Sequence, residues 1–376
     1  MKKSRALFEE VAAPSAAPTA APGAAEKRKA RARRLAAWWF MGLAALVAAM
    51  AVLAGALRVA HPALSAVGWA PVVEALPPLS AEGWTAAEAR VAAAGGSTGA
   101  GLQIGYWLAW ARQTLVVVTG AVWLFGLIGL AATRALPRGA GLAALAPGAV
   151  GAALVGYGWW TARAAVPDAL APLADAPARG ALYFALWAAL LGLLLWPAWR
   201  FMRSDVALLQ ARRRRARGAM AWSGAVVAVA CATIALGGLV AGSGDAARAW
   251  LYADWPLMAG HLLPPDAFSL SPGWRNALEN PALTTFMHRL GGYALVVLAV
   301  VGWAVGRRAG LRGVARWTGI AALVVLAQGA LGVAAAVLWD APAAKFAHQA
   351  GNVALLWLVL RARFETAYPA EQSIRG

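Results

Sequence analysis

The sequence predicts an all-α integral membrane protein: eight transmembrane helices as two four-helix-bundle repeats, with both termini cytoplasmic. Three observations lead there. The chain of 376 residues is 61% hydrophobic and only 13% charged, whereas a soluble domain carries about a quarter charged residues. Its apolar residues fall in runs long enough to cross the hydrocarbon core, which takes about 20 helical residues. Its arginines collect in alternate gaps between those runs, as cytoplasmic loops do.

Residues 1–35, rich in Ala, Pro, Lys and Arg, read as a disordered basic tail. The apolar run that follows is too long for a cleavable signal. Spans are expected near 36–57, 105–133, 140–162, 180–199, 218–242, 282–306, 314–339 and 343–361. Arg134 and Arg138 separate the second and third, and Arg200–Arg217 the fourth and fifth. Arg307, Arg308, Arg312 and Arg316 separate the sixth and seventh, and Arg361 and Arg363 close the series. The chain then divides into an N-terminal half (36–200), a basic cytoplasmic linker (201–217), a C-terminal half (218–361) and a cytoplasmic tail (362–376). The formal charge of +18 follows this topology, so it reads as orientation in lipid and not as a nucleic-acid surface. Cys231, the single cysteine, supports neither a disulfide nor a thiolate metal site.

The two outer loops repeat a pattern. The first carries Trp69, Pro71, Leu76-Pro77-Pro78 and Trp84; the second carries Trp255-Pro256, Leu263-Pro264-Pro265 and Trp274. Parallel duplication of a four-helix unit accounts for both.

His288 and His348 lie just inside the sixth and eighth spans. At 1.5 Å per residue both sit roughly 8–9 Å below the outer boundary, the equal depth that ligation of one haem iron from both sides requires. The alternative is a histidine hydrogen-bonded between helices. Gly291, Gly292 and Gly351 follow at helical spacing and would let a macrocycle lie close. Arg289 would meet a haem propionate or snorkel to the interface. Two imidazole ligands leave no open position on iron, which suits electron transfer. His61 and His261 fall in the outer loops.

The ordered string Trp255-Pro256-Leu257-Met258-Ala259-Gly260, Pro264, Trp274-Arg275-Asn276, Glu279-Asn280, Phe286-Met287-His288-Arg289, Gln328 to Leu331-Gly332 and His348-Gln349 resembles the heme A synthase family in its proteobacterial and mitochondrial form. The resemblance implies an eight-helix oxidoreductase that converts a methyl group of haem O to the formyl group of haem A for cytochrome oxidase. It implies that His288 and His348 hold a haem b, with haem O as substrate, and that haem O synthase or oxidase subunits are partners besides membrane lipid. In the N-terminal half Arg58, Leu64, Ser65, Trp69, Pro71, Pro77 and Pro78 fit more weakly. There the family's glutamate and histidines read as Ala109, Arg112 and Tyr183, so the catalytic residues are not assigned. Arg112 would anchor a propionate or snorkel; Tyr183 would ligate iron or simply pack. Three functions follow: the enzyme, a non-catalytic haem b-binding or oxidase-assembly protein that has lost the first site, and a transporter with a histidine proton relay. The last lacks polar, broken helices at the midplane.

Overall fold

The computed structural model describes residues 23–60, 78–93, 99, 101–163, 176–243, 253–338 and 341–370. Helix α1 (Ala24–Ala60) begins well before the expected boundary. The unstructured tail therefore needs correction from residue 24 onward. Ala, Glu, Lys and Arg are strong helix formers, and extending an existing helix needs no new nucleus. Lys29, at 2.9 Å, and Arg33 both pair with Asp205. The Lys29 hydrogen bond, then Arg33, holds the Asp205 carboxyl below the usual carboxylate range.

There follow α2 (Ala81–Ala93), between the first two expected spans, α3 (Leu102–Ala132), α4 (Gly141–Arg163) and α5 (Ala176–Phe201). Helix α6 (Asp205–Arg213), capped by Ser204 accepting from the Ala207 amide, lies within the expected linker. The chain continues with α7 (Arg217–Gly242), α8 (Pro281–Arg308), α9 (Arg312–Val337) and α10 (Pro342–Ala367). Proline opens α8 and α10, where its missing N–H is not needed.

Helices α1, α3, α4 and α5 pack in a ring, each on the next, and α7, α8, α9 and α10 form a second ring. The rings meet through α5 on α7 and α1 on α10. At the first contact the backbones touch: a Cβ at Gly180 would lie 2.4 Å from the Gly238 oxygen, and one at Gly238 2.5 Å from the Gly180 oxygen. The main core is continuous across both rings, from Phe40 and Leu43 through Leu191 and Leu194 to Leu356 and Phe364.

Among the described residues seven helices (α1, α3, α4, α5, α7, α8 and α9) are long and apolar enough to cross a membrane. Helix α10 has 26 residues but carries Lys345, His348, Gln349 and Asn352 in its first half and Arg361, Arg363 and Glu365 in its last turns, which lowers its hydropathy.

The expected tail also needs correction over 362–367. Helix α10 runs through it, with Phe364, Glu365 and Thr366 buried. Glu365 pairs with Arg203 at 2.9 Å and Arg361 at 2.5 Å, and Thr366 bonds Ser223 at 2.7 Å. A carboxylate flanked by two guanidinium groups is held where an unpaired one would be costly.

Candidate functional site

His288 on α8 and His348 on α10 stand seven and six residues into their helices, about 10 and 9 Å along the axis. The structure brings the two rings together, with centroids 6.2 Å apart and planes nearly perpendicular at 84°. Each ring is tied to the preceding helix in the same way. His288 Nδ1 lies 3.0 Å from the Thr233 carbonyl oxygen on α7, and His348 Nδ1 lies 3.1 Å from that of Gln328 on α9. A carbonyl only accepts, so Nδ1 carries the proton and Nε2 the lone pair. That is the tautomer a metal-binding histidine adopts when its other nitrogen is held.

The spacing tests the fit to a metal. A metal–imidazole bond is about 2.0–2.1 Å, and the ring centre lies about an ångström behind the nitrogen. Two imidazoles on one ion thus place their centroids roughly 6 Å apart, in agreement with 6.2 Å. Among the described residues no cluster of three or more His, Cys, Asp or Glu side chains could hold a metal. A two-ligand site suits a macrocycle that supplies the remaining donors.

Glycines make the seat, though not those expected. A Cβ at Gly237 or at Gly332 would lie 3.0 Å from the Cε1 of His288 or His348. Each glycine follows the accepting carbonyl by four residues, one turn on along the same helix face. The same device recurs with tryptophan: Trp39 donates to the Val122 carbonyl over Gly126, and Trp123 to that of Ala144 over Gly148. A flat ring donor reaches a helix carbonyl only where the next turn has no side chain. Sequence reasoning missed Gly237, Gly332 and Thr233 as site residues; the mirrored four-residue spacings Thr233–Gly237 and Gln328–Gly332 were the available signal.

The role expected for Gly351 is corrected. A Cβ there would fall 2.2 Å from Gln328 Oε1, and one at Gly291 2.7 Å from Thr233 Oγ1. Both glycines admit a neighbouring helix and not a macrocycle. Gln328 Nε2 donates to the His348 carbonyl and to Asn352 Oδ1, each at 3.0 Å, fixing α10 against α9. Gly292 has nothing within 4 Å of its Cβ position and remains compatible with a flat ligand.

Arg289 is bound to the loop between α7 and α8: its Nη1 donates to the Leu257 carbonyl at 2.9 Å. Much of the loop motif builds this strap. Asn280 caps α8 through the Ala282 amide and donates to the Asp266 carbonyl and to Asn276. Arg275 pairs with Glu279 at 2.6 Å. The Gly260 amide, at 2.7 Å, and then the Ala259 amide hold the Asp254 carboxyl below the usual carboxylate range. A depressed folded pKa adds stability above the unfolded value that is lost as pH falls through the folded one. Protease protection of the 253–261 turn should therefore weaken as the medium is acidified below the ordinary aspartate range. Asp254→Asn should be cleaved readily at neutral pH with little further change on acidification; an unaltered acid response in that variant would assign the effect elsewhere. His261 is exposed, in a turn whose backbone pairs with Met258. His61 lies outside the described residues.

In the first ring Ala109 packs beside the small cluster of Leu57, Val91 and Leu102. Arg112 is half-buried, and its Nε is sealed without a hydrogen-bond partner among the described residues. Tyr183 stands seven residues into α5, the register His288 has on α8. Its hydroxyl rests on Gly158, where a Cβ would come within 2.2 Å.

These features define a class: a polytopic, all-helical membrane protein whose second ring holds one cross-helix imidazole pair. The chain belongs to the COX15-CtaA family of cytochrome oxidase assembly proteins, whose family model matches residues 37–360. It is similar to the Heme A synthase of Dinoroseobacter shibae, 36% identical over 387 residues that cover 100% of this chain and 99% of that protein. The Heme A synthase of Paracoccus denitrificans is 37% identical over 346 residues, 90% and 89% of the two chains. That of Ruegeria pomeroyi is 36% identical over 387 residues, all of both. No solved structure matches the chain at a significant level. The chain is a multi-pass protein of the bacterial inner membrane.

Proposed function

We propose that this chain is a heme A synthase, a membrane oxidoreductase that oxidises a methyl group of haem O to the formyl group of haem A. Similarity to heme A synthases runs the whole length of the chain, which disfavours a non-catalytic haem-binding role. The observation that carries the reading at the level of residues is the pair His288 and His348, 6.2 Å between centroids. In this reading they ligate a haem b, and Gly292 borders its plane. A haem held there supplies one-electron transfer. The chain's own contribution is orientation: the Thr233 and Gln328 carbonyls fix both tautomers, and the Arg289-bound loop closes the outer end.

The reading includes α10 as an eighth span, both termini in the cytoplasm by the distribution of arginine, and one four-helix ring each for 36–200 and 218–361. Oxidation is assigned to the first ring. Haem O synthase and oxidase subunits are the natural partners, as source and destination of the haem. Co-expression with a haem O source should yield haem A in pigment extracted with acidified solvent. Protohaem alone, with the His288 and His348 site filled, would eliminate the enzymatic reading.

A further inference from the structure

We propose that the first ring carries a cationic pocket, formed by Arg112, Arg179 and Tyr183, that binds the paired carboxylates of a porphyrin substrate in place of histidine ligation. The proposal rests on the enzymatic reading for the identity of the porphyrin and on the following observations for the pocket. The two rings are built alike but closed differently. Helix α8 packs along both α7 and α9, whereas α3 leans on α1 and barely meets α4. The first ring is therefore packed less tightly between α3 and α4 than the second is between α8 and α9.

The Nε of Arg112 is buried without a hydrogen-bond partner among the described residues, and its guanidinium lies within electrostatic reach of Tyr183 on α5. Arg179, one turn before Tyr183, interacts with it and with Tyr157 of α4. Neither arginine has an ion-pair partner among the described residues. Arg112 lies ten residues past the start of α3, about 15 Å along the helix. A guanidinium in the membrane-spanning part without a carboxylate is costly and marks a functional position. The group that relieves it is an anion, and a planar carboxylate matches the guanidinium fork.

Aromatic rings supply the walls. Tyr157 lies 5.4 Å from Tyr183 and 6.0 Å from Trp160, centroid to centroid. Two cations among flat apolar faces complement an amphipathic, planar dicarboxylate. Tyr183 occupies the register of the second ring's ligands, resting on Gly158 as His348 rests on Gly332. The phenol there is placed to donate to the carboxylate that Arg112 holds.

The test uses the full chain in lipid nanodiscs with the His288 and His348 site already filled. Ferric protohaem and its dimethyl ester are the two probes. The wild type should take up a second equivalent of the free acid and bind the ester at least about tenfold more weakly, since charge-assisted bonds are lost. Arg112→Gln should weaken the free acid at least about tenfold and erase the preference over the ester. An unchanged optical spectrum of the first haem verifies folding. Equal binding of acid and ester by the wild type overturns the proposal without need of a variant. So does a missing second equivalent, or an Arg112→Gln protein that binds like the wild type. If haem A is never formed while the Arg112-dependent preference persists, the enzymatic reading falls and the pocket stands.

Discussion

Replacing either His288 or His348 with alanine should leave the purified protein with less than about a tenth of the wild-type haem. Loss of a mere supporting residue around a metal ligand already costs roughly 10–100-fold in affinity, and a residue that itself holds the haem would contribute more than its supports. The effect should be as large for one histidine as for the other. Both rings are neutral donors held by a backbone carbonyl at nearly the same distance, 3.0 and 3.1 Å. The fold should survive, because each imidazole is tied to one neighbouring helix whose packing also rests on Leu295, Val325 and Leu355. Thermal unfolding of the apo variants beside haem-free wild type checks this. A variant that retains its full absorbance would remove that histidine from the site.

The second large effect is expected at the seam between the rings. Gly238→Val would drive a branched side chain into the Gly180 backbone, where even a Cβ would meet the carbonyl carbon at 2.6 Å. Neither partner is the movable end of a side chain, so helices α5 and α7 must separate. Overpacking of this kind costs about 1–3 kcal/mol or more, and here the strain falls on backbone contact between two helices of the main core. Thermal unfolding in detergent should drop by several degrees, and haem should be lost as well, since Gly238 adjoins the glycine that seats His288. The same substitution at Gly292, which meets no protein atom within 4 Å, should leave the stability of the haem-free protein close to wild type. If Gly238→Val unfolds like the wild type, the close approach of α5 and α7 is not a feature of the folded protein.

The parts legible in the sequence are those set by composition and period. Seven of the expected spans are helices apolar enough to cross a membrane, because an uninterrupted apolar run in lipid has helix as its main solution. The histidine pair was visible as two polar residues at one depth. Helix α10 was harder to class, because the residues that build its site and its basic-end clamp are the ones that lower its hydropathy. The face of a glycine was not legible. Gly291 and Gly351 stand three residues beyond a histidine, some 60° round the helix axis by its about 3.6-residue turn, and that offset points them at the adjoining helix. Arg289 was readable as a cation near an interface, but its partner, the Leu257 carbonyl, comes from a loop whose fold depends on Asn276, Asn280 and Asp254 together. The extension of α1 to Ala24 was hidden because a basic segment without an apolar face looks unstructured until a neighbour such as Asp205 supplies the opposite charge.

The most direct test is the optical and electron paramagnetic resonance spectrum of the full-length protein loaded with one equivalent of haem. Two imidazoles on one iron predict a low-spin ferric signal and a reduced form that does not take up carbon monoxide. A high-spin iron that binds carbon monoxide readily, or a protein that stays colourless with haem in excess, would contradict the pairing of His288 with His348.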